Sequence, residues 1–402
     1  MSTLVLNAGS SSLKFGLFDD QSCDSQTTGL IDWAGDDRSA ELTYRTASGE
    51  ESRRTVRCRE HRDAMETVLS VVRELRSSGQ EQGVRAVGHR VVHGGVTFSA
   101  SVPIDRNVKQ ELVRLAELAP LHNPAAIAVI EAAEAGLPEI PQFAVFDTAF
   151  FSRLPHSEQV YPLPYEWFSE WGIRRFGFHG ISHSYCAGRA AEMLERDPSQ
   201  LRLVICHLGN GCSASAVRGG VPVATTMGFT PLEGLMMGTR PGSVDPGILL
   251  HVQRRHGVTT EQLDAALHHN SGLLGVSGVS SDFREVDTAA EAGHERARLA
   301  WEMYSGRIRA AVGSLTVQLG GLDALVFTAG VGENSARLRA AVCEGLECLG
   351  LTLDANRNAD ARPDTDVATP ESTARVLVVH TREDLMIARE TQRLMQDAAL
   401  SD

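Results

Sequence analysis

The stretch that decides the fold is Leu4-Val5-Leu6-Asn7-Ala8-Gly9-Ser10-Ser11-Ser12-Leu13-Lys14-Phe15-Gly16-Leu17-Phe18. Its apolar ends, 4–6 and 15–18, are separated by a turn of small polar residues, which predicts a β-hairpin. The same pattern returns 199 residues later, with apolar residues 203–205, the turn 207–211 (His-Leu-Gly-Asn-Gly) and a second strand over 213–217. A duplicated domain, in which each half opens on a hairpin, is the simplest explanation.

Hydrophobic spacing predicts further elements around the two hairpins. Alternation indicates a strand over 84–93 that places Arg90 and Val92 on one face. An apolar strand over 140–146 ends on Asp147, at the edge of an α/β sheet where ligands bind. Helices are predicted over 107–118, 124–135, 262–269, 291–319 and 384–399, and strands over 325–327 and 376–379. Together they predict an α/β protein whose halves meet near the proline-rich stretch 150–165.

Composition narrows the class of protein. The 402 residues are 42% hydrophobic and 22% charged, which is enough for two or three buried cores. Acidic residues outnumber basic ones by 51 to 38, and a net charge of −13 disfavours nucleic acid and anionic membranes as partners. No stretch approaches the length of a membrane-spanning helix, and because residues 1–7 have no basic region and only a three-residue apolar run, we expect no secretion signal. Seven scattered cysteines favour reduced thiols, so we expect a cytoplasmic protein.

Lys14, in the first turn, is one of only two lysines in a chain that contains 36 arginines. Backbone amides, hydroxyls and an ammonium in one turn suit the terminal phosphates of a nucleotide. The motifs Gly209-x-Gly211 and Gly330-x-Gly332 are weak alone, since ordinary hairpins use such residues. Taken together, the turn that contains Lys14 and the two glycine motifs predict one nucleotide-binding site. A P-loop is excluded, because neither lysine follows a glycine.

Other charged side chains are candidates for the chemistry. Arg90 and Arg240 could bind a carboxylate or a phosphoryl group bidentately, although each alone is more often a surface salt-bridge partner. His179 and His183 have the i, i+4 spacing of a metal pair, but the absence of an HExxH motif disfavours zinc. Asp147 could equally cap a helix.

Four long motifs carry a resemblance to a known family. They are Asn-x-Gly-Ser-Ser-Ser-x-Lys at 7–14, Gly-His-Arg-Val-Val-His-Gly-Gly at 88–95, Gly-Phe-His-Gly at 177–180, and Met-Gly-Phe-Thr-Pro-Leu-Glu-Gly-Leu-Met-Met-Gly-Thr-Arg at 227–240. From residue 4 to about 389 the chain resembles the acetokinase family. The resemblance implies duplicated ribonuclease H-like (actin-like ATPase) domains with a central cleft. The domains would be 1–150 plus 385–402, and 151–384.

The same resemblance implies reversible, Mg²⁺-dependent phosphoryl transfer from ATP to acetate, giving acetyl phosphate and ADP. Mn²⁺ is an alternative metal, and a homodimer is expected. Two other functional hypotheses stay open. A propionate or butyrate kinase would share the catalytic residues and differ in pocket volume. An ATPase clamp of the Hsp70 or actin kind would not need Arg90 and Arg240 beside an apolar pocket.

Site residues are carried over from the family motifs. Metal ligands fall on Asn7 and Glu383, and catalytic roles fall on Asp147, His179 and Arg240. Asp147 is the family's catalytic acid, but because a carboxylate substrate is already ionised at pH 7, orienting Arg90 is its alternative role. The substrate-binding residues implied are Arg90, Val92, Leu121, Phe178 and Pro231. The nucleotide-binding residues implied are Lys14, His207, Leu208, Gly209, Asn210, Gly211, Asp282, Phe283, Arg284, Gly330, Val331, Gly332, Glu333 and Asn334.

The chain departs from the family pattern at three places. Ala224 stands where the family usually has Asp, and Pro241 and Ser243 alter the loop after Arg240. Arg382 adds a cation beside Glu383. Because a proline restricts the residue before it to extended angles, Pro241 is expected to aim the Arg240 side chain differently.

Overall fold

The computed structural model describes residues 1–33, 39–79, 83–119 and 122–400. The chain divides into two compact units, Met1–Ser152 with Arg382–Asp402, and Arg153–Thr381. Each unit contains one sheet with helices packed on it. The domain limits expected from the sequence stay a prediction.

The first unit is built on an eight-stranded sheet with the order β5-β4-β3-β2-β1-β6-β8-β7. Its strands are β1 (Ser2–Ala8), β2 (Ser12–Asp19), β3 (Ser25–Asp32), β4 (Ala40–Thr46), β5 (Glu51–Val56), β6 (Val84–Val91), β7 (Val102–Pro103) and β8 (Gln142–Phe146). Its helices are α1 (His61–Ser77), α2 (Arg106–Arg114), α3 (Asn123–Gly136) and the C-terminal helix (Glu383–Ala399). Short 3-10 turns follow at Leu115–Glu117 and Phe150–Arg153.

The predicted first hairpin is confirmed: β1 and β2 pair antiparallel, with Asn7 opposite Lys14. Strand β1 also pairs parallel with β6, and β6 with β8. Helices α1 and α3 bury their apolar side chains against the sheet in one core with Leu4, Leu6 and Phe15. Because side chains alternate along a strand, these three residues share one face of the hairpin, and that face is packed into the core.

The C-terminal helix packs beside β1 and β6 because Gly88 leaves room for it. A Cβ on Gly88 would lie 2.3 Å from Thr391 Oγ1 and 2.9 Å from Ile387 Cγ2. Both neighbours belong to the C-terminal helix, whose Ile387 and Thr391 are fully buried. This contact returns the end of the chain to its first strands, and it places Glu383 in the first turn of that helix.

The second unit is built on a six-stranded sheet with the order β11-β10-β9-β12-β14-β13. Its strands are β9 (Arg202–Leu208), β10 (Cys212–Arg218), β11 (Val221–Thr225), β12 (Ala324–Thr328), β13 (Thr365–Asp366) and β14 (Arg375–Val378). Its helices are α4 (His156–Gln159), α5 (Tyr165–Ser169), α6 (Gly180–Met193), α7 (Pro246–His256), α8 (Thr260–His269), α9 (Gly272–Ser277), α10 (Phe283–Glu291), α11 (Glu295–Leu319), α12 (Ala329–Asn334), α13 (Ala336–Cys343) and α14 (Ala355–Ala359). Two 3-10 turns lie at Pro198–Gln200 and Glu347–Leu349.

The two sheets repeat one plan. In the second unit the hairpin β9–β10 is extended by β11, and β9 pairs parallel with β12, which pairs parallel with β14. The first unit has the same arrangement, with β1–β2 extended by β3 and with β6 and β8 as the parallel strands. The α/β fold and the duplication expected from the sequence are thereby confirmed.

One helix prediction was wrong. The stretch 291–319 was expected to be a single helix, but α10 ends at Glu291 and α11 begins at Glu295. Gly293 has a φ of +88°, which a helix does not allow, and the His294 imidazole accepts from the Ala297 amide at 3.1 Å to cap α11. Among the residues that the structure describes, no helix combines the length and the apolar character that crossing a bilayer requires.

Candidate active site

An arginine and two polar partners meet at the carboxyl end of the first sheet. Strands β6 and β8 are parallel neighbours, so Arg90 near the end of one lies close to Asp147 just beyond the other. Arg90 donates to Asp147 Oδ2 from Nη2 at 2.5 Å and from Nε at 3.1 Å. Its Nη1 donates to Asn7 Oδ1 at 3.1 Å. The Asp147 side chain is only 1% exposed, so Arg90 is the countercharge of a buried carboxylate.

The first turn of the C-terminal helix brings two more carboxylates to this cluster. The Asn7 amide hydrogen-bonds the Asp384 carboxyl, and Lys14 and Arg90 act on the same group electrostatically. Burial, and after it the charge of Glu383, nevertheless raises the pKa of Asp384 above its ordinary value. The unit thus brings together all the polar site residues predicted within it. Asp384 was missed, although its place next to Glu383 was a usable signal.

Neighbouring carboxylates keep the Arg90 guanidinium charged. Burial opposes the charge, but the pKa of Arg90 is held above its ordinary value by Asp147, with Glu383 and Asp384 adding to the effect. A guanidinium that stays charged and is fixed by two side chains is suited to recognising a second anion.

The four residues assigned to an apolar pocket differ in burial and in the unit to which they belong. Val92 is 8% exposed, but β6 ends at Val91, so strand alternation does not set the direction of its side chain as the sequence predicted. Phe178 is fully buried and Pro231 is half-buried, both in the second unit. Leu121 lies outside the described residues.

His179 directly precedes α6 as its N-cap residue, in a left-handed conformation with a φ of +58°. Its Nδ1 lies 2.9 Å from Ser213 Oγ, and its ring stacks on that of His207 at 4.2 Å between centroids. The same serine hydroxyl lies 2.8 Å from His183 Nε2. Burial, and next the neighbouring His207, lowers the pKa of His183 far below its ordinary value. The two histidines thus share a serine. Within the described residues, no three His, Cys, Asp or Glu side chains are grouped as metal ligands.

Arg240 lies beside His179, and Gly211 makes this possible. A Cβ on Gly211 would lie 2.7 Å from Arg240 Nη2 and 3.3 Å from His179 Nε2. Arg240 Nη1 donates to the Pro231 carbonyl oxygen at 2.8 Å. Burial lowers the pKa of Arg240, although a guanidinium remains charged in proteins. Arg240 and His179, the two side chains that the resemblance assigns to the phosphoryl group, therefore meet at one glycine turn despite Pro241.

The stretches of the second unit that the resemblance assigns to the nucleotide lie around the same glycine turn, 207–211. Across from the turn 207–211, α12 approaches closely, since a Cβ on Gly332 would lie 3.7 Å from Leu208 Cβ. Asp282 caps α10 by accepting from the Arg284 amide at 2.8 Å. Phe283 contacts Tyr304, whose hydroxyl lies 3.1 Å from the sulfur of Cys212, the residue that follows the turn. The remaining predicted residues of these stretches lie in the same segments: His207, Gly209, Asn210, Gly330, Val331, Glu333 and Asn334.

Glu333 has a role that the sequence did not indicate. Its carboxylate accepts from the amides of Ala329 at 2.9 Å and Thr381 at 3.0 Å, and lies 2.6 Å from His380 Nδ1. Although burial raises it, the pKa of Glu333 is lowered by these donors. Ala329 has a φ of +65°, which is costly for a residue with a Cβ. Glu333 therefore stabilises a strained turn before the glycines.

Two α/β units of one plan, with glycine turns beside an arginine and a histidine in the second, define an enzyme of the actin-like ATPase class. The model of the acetokinase family matches residues 2–389, and the chain belongs to that family.

Named relatives match along nearly the whole chain. The acetate kinase of Gloeobacter violaceus is 51% identical over 401 residues, covering 97% of this chain and 98% of that protein. The acetate kinase of Cyanothece sp. is 49% identical over 411 residues, covering 98% and 99%. Among solved structures, Porphyromonas gingivalis acetate kinase matches with a TM-score of 0.89 at 41% identity, and a propionate kinase from Francisella tularensis with 0.90 at 38%. Each of these two structures covers 98% of this chain, and the match spans 99% of each of them.

Proposed function

We propose that this protein is an acetate kinase, which reversibly transfers the γ-phosphoryl group of ATP to acetate. The observation that carries the proposal is the full-length relationship, since acetate kinases of about half-identical sequence match along at least 97% of this chain and of their own length. The retained Arg90, Arg240 and His179, each held in a defined polar setting, support it.

In the first unit, Arg90 binds the acetate carboxylate. Its guanidinium is already fixed by Asp147 and Asn7, so little side-chain entropy is lost when the second anion binds. Acetate is ionised at pH 7 and has no proton to give up, so no general base is needed. Asp147 therefore acts by orienting and neutralising Arg90 rather than by moving a proton.

In the second unit, Arg240 and His179 stabilise the charge on the transferring phosphoryl group, and the glycine turns bind the nucleotide. In the first unit, the Lys14 ammonium is suited to terminal phosphates. An acetate oxygen attacks the γ-phosphorus, and the bond to the bridging β,γ-oxygen breaks. ADP leaves with that electron pair, so charges and atoms balance without acid or base. Catalysis then depends on positioning and on fixed positive charge.

The residues present fit a magnesium ion. Asn7, Glu383 and Asp384 offer one amide and two carboxyl groups, which are the hard oxygen donors that Mg²⁺ prefers, with phosphates and waters completing the shell. Burial first, and Glu383 second, raise the pKa of Asp384, and a cation held beside the two carboxyls would offset their mutual repulsion. When bound, Mg²⁺ neutralises phosphate charge, and Mn²⁺ is expected to substitute. Asn7 and Glu383, the ligands that the family resemblance implies, would hold the ion, with the Asp384 carboxyl beside them.

A homodimer and a cytoplasmic location are also part of the proposal. Helices α7 and α8 bury no residue within the chain, and α7 exposes about half of the surface of Ile248 and Leu250. Apolar side chains on such a face favour association with a second copy. Seven cysteines scattered along the chain favour a reducing compartment.

ADP release with ATP and Mg²⁺ across formate, acetate, propionate and butyrate tests the function. We expect release that requires a carboxylate and is fastest with acetate. Fastest release with propionate would instead favour a propionate kinase. The similarity to the Francisella tularensis propionate kinase structure supports this second candidate function. Release that ignores the carboxylate would instead indicate an ATPase clamp.

Replacing Glu383 is expected to remove most activity and little stability. Without this carboxylate, Glu383→Ala should lower kcat by about a hundredfold or more, because metal-ion charge stabilisation contributes several kcal/mol. Glu390→Ala, on the same helix and paired with Arg393, is the matched control and should stay near wild type. A melting temperature that falls in step with kcat would make Glu383 structural.

Val92 is expected to set substrate size. A pocket fitted to a methyl group rejects one more carbon by roughly 1 to 3 kcal/mol, so wild type should prefer acetate to propionate by about ten- to a hundredfold in kcat/KM. Val92→Ala should improve propionate relative to acetate by about tenfold, or about 1.4 kcal/mol. Val91→Ala, which removes the same volume from the core packed by Leu112 and Phe146, controls for lost packing. An unchanged ratio in Val92→Ala would remove this residue from the pocket.

A further inference from the structure

Tyr161, Arg175 and Glu233 form a connected polar cluster to which the sequence analysis assigned no role, although Glu233 lies within the motif 227–240. Arg175 Nη2 donates to Glu233 Oε1 at 2.9 Å, and the Tyr161 hydroxyl donates to Glu233 Oε2. The guanidinium also lies over the Tyr161 ring, 5.2 Å from its centroid. Burial raises the pKa of Tyr161, so its hydroxyl remains a donor. Each member is thus held by both others.

The cluster fixes the backbone of one loop. Arg175 Nη1 donates to three successive carbonyl oxygens, those of 225–227, at 3.3, 3.3 and 3.1 Å. The Phe229 amide donates to the Tyr161 hydroxyl at 2.8 Å. Gly228 lies directly against the cluster, since a Cβ there would be 2.1 Å from the Tyr161 hydroxyl. Four backbone groups, the carbonyls of 225–227 and the amide of Phe229, are therefore hydrogen-bonded to side chains from outside the loop.

The same loop supports both phosphoryl-binding side chains. The Gly228 carbonyl accepts from the Phe176 amide at 3.0 Å and the Gly177 amide at 3.2 Å, in the segment that leads directly to His179. Further along, the Pro231 carbonyl accepts from Arg240 Nη1 at 2.8 Å. Movement of the loop would therefore displace both His179 and Arg240.

We propose that Tyr161, Arg175 and Glu233 are positioning residues, which fix the loop 225–233 and through it set the places of Arg240 and His179 during phosphoryl transfer. This inference rests on the proposed function. Displacement of a charge-stabilising donor by about an ångström can cost a hundredfold in rate, so loosening the loop should act mainly on kcat.

Tyr161→Phe is the sharpest variant, because it removes one hydroxyl and keeps the ring under Arg175. We expect kcat to fall about tenfold with KM for ATP changed less than twofold. Tyr165→Phe is the matched control, since this neighbour is 59% exposed and should behave like wild type. Wild-type kcat in Tyr161→Phe would overturn the proposal.

The route of the effect is tested by combining substitutions. If Tyr161 acts largely through Arg240, then Tyr161→Phe should cost less than threefold in an Arg240→Ala background. A full tenfold loss in that background would refute the coupling.

A readout independent of activity separates this inference from the proposed function. Amide hydrogen exchange over 225–233 should be faster in Tyr161→Phe than in wild type or Tyr165→Phe, with no change at β9 and β10. If wild type fails to phosphorylate acetate, the proposed function fails, while faster exchange still supports the clamped loop. Unchanged exchange in Tyr161→Phe would refute the positioning role.

Discussion

Arg240→Ala is expected to lower kcat by several hundredfold while changing KM for acetate little. The guanidinium lies with His179 against Gly211, and we assign it to charge that develops on the phosphoryl group in the transition state. Losing one preorganised donor of this kind costs roughly 3 to 4 kcal/mol of transition-state stabilisation. Steady-state kinetics with saturating ATP separates kcat from KM.

The matched control is Arg218→Ala. This arginine also donates to backbone carbonyls, those of Gln318 at 2.9 Å and Leu319 at 2.8 Å, but belongs to none of the predicted site stretches. It should keep wild-type kinetics. If Arg240→Ala turned over normally, the change after this residue to Pro241 would have removed the guanidinium from the chemistry.

Arg90→Ala is expected to damage both stability and activity. It leaves the Asp147 carboxylate buried without its countercharge, and breaking a buried pair from one side typically costs about 3 to 5 kcal/mol. The free energy of unfolding, measured by denaturant titration, should fall by that order. In the fraction that remains folded, KM for acetate should rise and kcat should fall.

The double variant Arg90→Ala/Asp147→Ala separates the two effects. It removes the stranded charge, so most of the lost stability should return while the activity stays low. Arg393→Ala, which breaks a solvent-exposed pair with Asp397, should cost less than about 1 kcal/mol. If Arg90→Ala unfolds like wild type, the ion pair with Asp147 does not carry the stability assigned to it.

The parts of the site that local patterns describe could be predicted from the sequence. Both hairpins follow from apolar runs around small-residue turns, and their pairing was confirmed. Arg90 and Asp147 were each placed at the end of a predicted strand, because side chains alternate along a strand whatever the rest of the chain does. Their contact depends in addition on the parallel pairing of β6 with β8, which alternation does not give.

Other features depend on contacts between residues far apart in the chain. Glu233 meets Tyr161 across 72 positions, and neither has a pattern of neighbours that indicates the other. The return of the C-terminal helix depends on the missing side chain of Gly88. Strand β5 alternates exposed with half-buried residues and buries none fully, which gives a weak apolar signal. Such tertiary contacts override local preference, so single-sequence reasoning could not find them.

The central claim is that an acetate oxygen attacks the γ-phosphorus of ATP. It is tested most directly with acetate labelled with ¹⁸O in both carboxylate positions, following the products by ³¹P NMR. The account predicts that acetyl phosphate and ADP appear in equal amounts and that the phosphorus signal of acetyl phosphate shows the isotope shift of one bridging ¹⁸O. ADP that forms together with inorganic phosphate, without labelled acetyl phosphate, would contradict it.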